Sequence, residues 1–152
     1  MPGIVASIAY RLRGHLPVGV KLFLNRRLNA TFLVGLLGVV RNETREVLVL
    51  THTYRPGFPY GVPSGWLKRG EPLEEALARE IAEETGLTVE FVRVLAIESR
   101  ERPTRLDVWL EYELVGGNFR PSPEVSEARF YPLDALPPLL REQRDFLSAL
   151  PA

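Results

Sequence analysis

Residues 65–87 read GWLKRGEPLEEALAREIAEETGL, and the second half of this stretch has helical periodicity. Pro72 suits a first helical turn and Gly86 suits a helix stop, which predicts a helix over residues 72–85. On a wheel of about 100° per residue, Ala76, Leu73, Leu77 and Ile81 form one apolar stripe. Glu80 and Glu84 fall inside that stripe and Glu83 falls beside it, whereas Glu74 and Glu75 point to the outer side. A plain surface helix would keep all its acids opposite the leucines. Ion pairing of Arg79 with Glu75 or Glu83 four residues away accounts for the outer acids, but not for the inward three.

Carboxylates ~4 Å apart near a protein surface repel by roughly 4 kcal/mol per pair at an effective dielectric of about 20. An inward-facing trio must therefore protonate, meet cations or bind a metal. Oxygen-only ligation suits magnesium, manganese or calcium rather than zinc or copper. Magnesium held by a few carboxylates commonly completes its shell with substrate phosphates.

The same stretch resembles the Nudix box: Gly, five residues, Glu, seven residues, then Arg-Glu-aliphatic-any-Glu-Glu-any-Gly-aliphatic. Gly65, Glu71, Arg79, Glu80, Ile81, Glu83, Glu84, Gly86 and Leu87 fill its fixed positions. Seven of these sites demand a single residue type, each met by chance roughly one time in fifteen, so chance agreement is on the order of 10⁻⁸ per start position. Ser64 departs from the second glycine that many members carry, and leaves the acidic positions untouched. The likeness extends over about residues 32–140, including the tail SEARFYPLDALPPLL.

The resemblance implies a Nudix-type α/β/α sandwich with a mixed sheet, the box forming loop, helix and loop. It implies Mg²⁺ or Mn²⁺ as cofactor, with Glu83 and Glu84 as principal ligands, Glu80 as a further ligand or base, and the Gly65 carbonyl in the shell. Arg79 would orient a box glutamate and Glu71 would brace the loop against the helix. The catalytic set expected is thus Glu80, Arg79, Glu83 and Glu84. Some members take their base from outside the box, and Glu124 and Glu127 are the candidates for that role.

The implied reaction is hydrolysis of the diphosphate linkage of a nucleoside diphosphate joined to a moiety X. ADP-ribose-like compounds or nucleotide sugars are favoured, with nucleoside triphosphates next. A ligand-sensing Nudix-like domain without turnover and an RNA-end pyrophosphohydrolase are the alternatives; the intact set of box glutamates speaks against the first. Substrate-binding residues are not assigned. His52, Arg55, Arg100 and Arg102 are weighed as phosphate contacts, with the surface favoured for each. Phe58, Tyr60 and Trp66 are weighed as base-stacking residues against core or loop anchoring.

Working outward, residues 32–40 form an apolar run that reads as a buried strand, and residues 46–54 read as its hairpin partner. Six prolines and glycines between Pro56 and Gly65 predict loop throughout. Residues 89–99 and 105–115 read as further strands, 128–131 as a short one, and 138–150 as a final helix offering Leu139, Leu140, Phe146 and Leu147 to the core. Before Phe32, two short amphipathic helices are expected, one on Ile4, Val5, Ile8 and Leu12, the other on Val20, Phe23, Leu24 and Leu28. They are candidates to cover the core or to make a homodimer contact. The expected organisation is one domain over residues 1–152, with 1–31 as a helical extension and 32–152 as the core.

The 152 residues are 45% hydrophobic and 25% charged, which excludes a disordered chain. The absence of cysteine excludes disulfides, zinc–thiolate sites and thiol nucleophiles. Net charge is zero, yet residues 1–42 carry six cations and no acid, while residues 71–84 carry six glutamates and one arginine. The basic stretch reads as a solvated face rather than a nucleic-acid or membrane contact; the partner that the Nudix resemblance implies is a nucleotide-type small molecule. Residues 1–20 do not follow a signal-peptide pattern and no apolar run is long enough to span a bilayer, so a cytoplasmic location is expected.

Overall fold

The computed structural model describes residues 16–29, 31–100 and 104–151. The chain divides into two units, Met1–Phe32 and Leu33–Ala152. In the first, a helix α1 (Val18–Leu28) stands where the second amphipathic helix was expected. The helix expected around Ile4–Leu12 lies outside the described residues.

The second unit is a mixed sheet of seven strands: β1 (Leu33–Arg41), β2 (Val47–His52), β3 (Tyr60–Gly61), β4 (Ser64–Trp66), β5 (Leu87–Arg100), β6 (Arg105–Gly117) and β7 (Val125–Tyr131). The main order is β3-β2-β1-β6-β5, with β4 added to β1 and β7 to β2. β1 and β6 run parallel and the other pairs antiparallel, so the sheet is mixed as expected. The β1–β2 hairpin turns on Asn42, whose side-chain oxygen accepts from the Thr44 and Glu46 amides at 3.1 and 2.9 Å. That turn closes the hairpin with Arg45 at a φ of 66°.

The breaker-rich stretch is not loop throughout. Tyr60–Gly61 pairs with β2 and Ser64–Trp66 with β1. Both pieces are too short to include a proline; Pro59 and Pro63 flank them, where no ladder donor is required of them.

Strand alternation sends two sets of side chains to opposite faces. On one face Leu36, Val40, Leu48, Leu50, Val108, Leu110 and Tyr112 pack against Ala76, Leu77 and Ile81 of helix α2 (Leu73–Thr85). Each fully buried leucine or isoleucine there contributes about 1.5–3 kcal/mol. Gly38 lets α2 approach, since a Cβ there would lie 3.1 Å from Leu77 Cδ2. The Tyr112 hydroxyl donates to the Glu74 carbonyl at 2.8 Å and pins the helix to β6.

On the other face Val39, Val47, Val49, Val62 and Trp109 pack with Leu139 and with Leu147 of helix α3 (Arg141–Ser148). Trp109 stacks on Phe146 with ring centroids 3.9 Å apart. The sheet thus lies between α2 and α3, an α/β/α arrangement. α3 is shorter than the expected final helix, and Leu140, expected in the core, is instead partly exposed beside a cavity. No helix among the described residues is long and apolar enough to cross a membrane.

Candidate active site

α2 begins after Pro72 and ends at Gly86, which has a φ of 73° and donates its amide to Ala82 at 2.9 Å. This fixes the phase of the helix, so that Leu77 and Ile81 bury while Glu80 and Glu84 emerge at the edge of the core. Glu74 and Glu75 are exposed on the outer side, as the wheel requires.

Arg79 is the hub of this face. Its Nε and one terminal nitrogen donate to the two Glu71 oxygens at 2.7 and 3.2 Å, clamping the preceding loop to the helix. The same guanidinium donates to Glu80 and to Glu83, each at 3.0 Å. Lys68 Nζ lies 3.5 Å from Glu80. The hydrogen bond from Arg79 holds the Glu71 carboxyl below the usual range, and the same bond raises the Arg79 guanidinium.

Glu84 is placed differently. Burial pushes its carboxyl up to about 7, and Glu124, Glu80 and Glu83 push the same way, with Arg55 opposing them. Glu80, Glu84 and Glu124 all line one cavity of about 420 Å³. Glu124 is brought there by the segment before β7, whose Glu124 carbonyl accepts from the Thr53 amide at 2.9 Å. Gly65 also lines the cavity, and a Cβ there would come within 2.7 Å of Glu80 Cγ, so the β4 backbone lies directly against this carboxylate.

The donor set is oxygen only, and Glu84 sits among like charges, which fits a hard divalent cation. As they stand, no three Asp, Glu or His side chains among the described residues are gathered into a formed metal cluster. Glu80 and Glu83 are engaged by Arg79 instead.

The cavity continues beyond the carboxylates to the sheet face that carries α3. Its far wall includes Gly35, Trp66, Asp107 and Trp109, with Glu142 and Gln143 from α3. Asp107 is 3% exposed. It accepts from a terminal nitrogen of Arg105 at 2.8 Å and pairs with Arg105 Nε as well.

The family model described as the NUDIX domain matches residues 31–150. The chain belongs to the Nudix family. Among curated relatives, an NAD-capped RNA hydrolase NudC from Vibrio atlanticus is 31% identical over 99 residues, covering 64% of this chain and 36% of that protein. An ADP-ribose pyrophosphatase from Methanocaldococcus jannaschii is 28% identical over 110 residues, covering 70% of this chain and 65% of that one. The chain therefore spans about a third and just under two thirds of these two relatives. Among solved structures, an ADP-ribose pyrophosphatase from Streptococcus suis matches with a TM-score of 0.66 at 28% identity, over 77% of this chain and 90% of that one.

Within this Nudix fold the sequence-expected residues divide. Glu80, Glu84, Gly65 and Glu124 share the cavity. Glu83 is on the same face, more than half exposed and bound to Arg79. Glu127 is not brought to the cavity; it accepts from Arg129 at 2.6 Å. Arg55 lines the cavity, beside Tyr54. His52, read as a surface residue, is in fact 4% exposed, with Nε2 unpartnered, and burial lowers its pKa to about 4. A strand-end position in the sequence did not reveal that Gly61 of β3 packs against its ring. Arg100 ends β5, and Arg102 lies outside the described residues. Of the three aromatics, Trp66 reaches the cavity and Phe58 and Tyr60 do not. Of the far-wall residues only Trp66 is singled out in the sequence; Gly35, Asp107, Trp109, Glu142 and Gln143 fall in no motif.

Proposed function

We propose that this chain hydrolyses the diphosphate linkage of a nucleoside diphosphate joined to a second group, with a divalent cation, Mg²⁺ or Mn²⁺, as cofactor. The observation that carries this is the convergence of Glu80, Glu84 and Glu124 on one cavity, with Glu84 destabilised as an anion. A diphosphate substrate brings further negative charge to that face, and a cation is needed to bring them together. Glu80, Glu83, Glu84 and the Gly65 carbonyl would hold it, with Glu80 and Glu83 each keeping one oxygen on Arg79. When bound, such an ion supplies positive charge to the phosphate oxygens and favours ionisation of the attacking water.

The remaining work falls to the chain itself. Arg79 orients Glu80 and Glu83 through charge-assisted bonds and stays off the substrate. Glu124, exposed at the cavity rim, accepts the proton of the attacking water, with Glu80 the other candidate base. Arg55, which lines the same cavity and acts electrostatically on Glu84, contacts the diphosphate. The Nudix core occupies residues 32–152, with 1–31 as an extension that offers a homodimer contact, and the protein works in the cytoplasm.

ADP-ribose-like compounds are the favoured substrates, a choice supported by the named activity of the Methanocaldococcus and Streptococcus relatives. A second reading, the NAD cap of an RNA, is supported by the name of the Vibrio relative. Both place a diphosphate at the same carboxylates.

The test is product release from ADP-ribose, NAD⁺, NAD-capped RNA, nucleotide sugars and nucleoside triphosphates, with Mg²⁺ or Mn²⁺. Turnover of a diphosphate-linked compound is expected, falling by at least about 100-fold in Glu83→Gln. No turnover of any compound by folded protein would leave a sensing domain. Undiminished turnover in Glu83→Gln would move the metal site elsewhere.

A further inference from the structure

The far wall of the cavity is built mostly from residues outside the box, and two of them, Gly35 and Asp107, meet Trp66 there. A Cβ on Gly35 would lie 3.1 Å from Asp107 Oδ1 and 3.7 Å from the Trp66 ring. The missing side chain at Gly35 thus lets the Asp107 carboxylate and the Trp66 indole pack closely against the β1 backbone, side by side on the wall of the same cavity. β-sheet register sets this up: Gly35 pairs with Trp66 on one side and with Asp107 on the other. Trp66 is 51% exposed, so part of its ring is open to contact. Arg105, two residues earlier on the same face of β6, pairs with Asp107 and fixes its carboxylate.

We propose that Asp107 reads the nucleobase of the substrate, with the base ring against Trp66 and its amino edge donating to the Asp107 carboxylate from the cavity that both residues line. This rests on the diphosphate hydrolase reading for the position of the phosphates, which lie toward Glu80 and Glu84 in the same cavity. An ionised carboxylate accepts hydrogen bonds and donates none. Adenine, guanine and cytosine each present an exocyclic amino group, whereas uracil presents carbonyl oxygens on either side of a single N–H. A carboxylate against a carbonyl oxygen leaves two acceptors facing each other, so the site selects amino-bearing bases and rejects uracil. Arg105 is a positioning residue in this scheme, because it acts on substrate through Asp107.

The experiment compares kcat/KM for ADP-ribose or ADP-glucose with that for UDP-glucose, in wild type and in Asp107→Asn. A side-chain amide offers both a donor and an acceptor, so it can meet either base. Wild type should prefer the adenine compounds by about tenfold or more, and Asp107→Asn should bring the ratio to within about threefold. An equal loss on both substrates, or an unchanged ratio, would overturn the assignment.

A second measurement stands apart from catalysis: quenching of tryptophan fluorescence by AMP and UMP. Tighter binding of AMP than UMP, with the difference erased by Asp107→Asn, supports the subsite even if no compound is turned over. Equal binding of the two by wild type overturns it even if hydrolysis is found. Trp66→Leu should weaken both nucleotides and keep their order. Should Asp107→Asn fail to fold, Gly35→Ala, whose methyl group would lie 3.1 Å from Asp107 Oδ1 and push the carboxylate from its place, is expected to weaken AMP binding by about tenfold. Unaltered AMP binding in that variant would overturn the proposal.

Discussion

Glu84 shows how a single residue exchanges stability for a site. Its carboxyl is raised to about 7, chiefly by burial, against an ordinary value of 4.5. A group raised on folding contributes stability below its unfolded value and loses it as pH rises through the folded one. At pH 8 the metal-free protein therefore carries an unfavourable anion. Glu84→Gln should raise the stability of the metal-free protein at pH 8 by about 1 kcal/mol, once solvent screening of a half-buried group is allowed for. Mg²⁺ should raise the melting temperature of wild type and leave that of the variant unmoved. Thermal melts with EDTA and with Mg²⁺ read both outcomes. His52 has the opposite sign. Burial, then Arg55, lowers its pKa from 6.5 to about 4. The folded state keeps it neutral, so its contribution is present above pH 6.5 and fades as pH falls through about 4. His52→Leu should flatten the acid limb of stability by about 2 kcal/mol between pH 7 and pH 4, read by urea denaturation beside wild type.

At the scale of the element, the box works because helix α2 has a fixed start, stop and rotation. The stop is the sharpest of these. Gly86 sits at a φ of 73°, and a Cβ there would meet the Asn118 carbonyl at 2.8 Å. The Thr85 hydroxyl donates to the Ile81 carbonyl, and the Thr85 carbonyl accepts from the Arg120 amide at 2.8 Å. The end of α2 is thus tied to the segment that leads to Glu124. Gly86→Ala should cost about 1–3 kcal/mol through left-handed strain and this close contact. It should also lower activity beyond what the stability loss explains, because it shifts Glu84 and Glu124 together. Chemical denaturation and kcat measured well below the melting temperature separate the two effects. The helix stop was legible from Gly86 alone, but its coupling to Asn118 and Arg120 was not, since nothing local to residues 118–120 marks them as a helix cap.

At the scale of the whole molecule, a buried charge cluster joins distant parts of the chain. Arg41 Nε donates to Glu111 at 3.0 Å, and Arg93 donates to the other oxygen of Glu111 at 2.8 Å. Arg41 also donates to the Arg45 carbonyl at 3.0 Å and to the Pro151 carbonyl at 3.3 Å. Strands β1, β5 and β6, the first hairpin and the C-terminal segment therefore meet at one pair of buried side chains. Glu111→Ala should destabilise by about 3–5 kcal/mol, because it leaves the Arg41 charge buried without its partner. The double variant Arg41→Met with Glu111→Leu should recover most of that loss. A double-mutant cycle in guanidinium chloride measures both.

The local sequence determined the box helix with its ends and its inward acids, the apolar strands and the alternation that gives the sheet two faces. Each of these depends on residues within a few positions of one another, through periodicity, capping and chain breakers. The box also determined family membership, because its spacing is itself a local signal. Only the tertiary structure decided between Glu124 and Glu127 at the cavity, moved His52 from the surface to the interior, and brought Gly35, Trp66 and Asp107 together. It likewise found ladder pairing for two short pieces of a segment that reads as pure loop. Those outcomes depend on which strands become neighbours, and strand pairing over tens of residues is set by the packing of whole faces rather than by any short pattern.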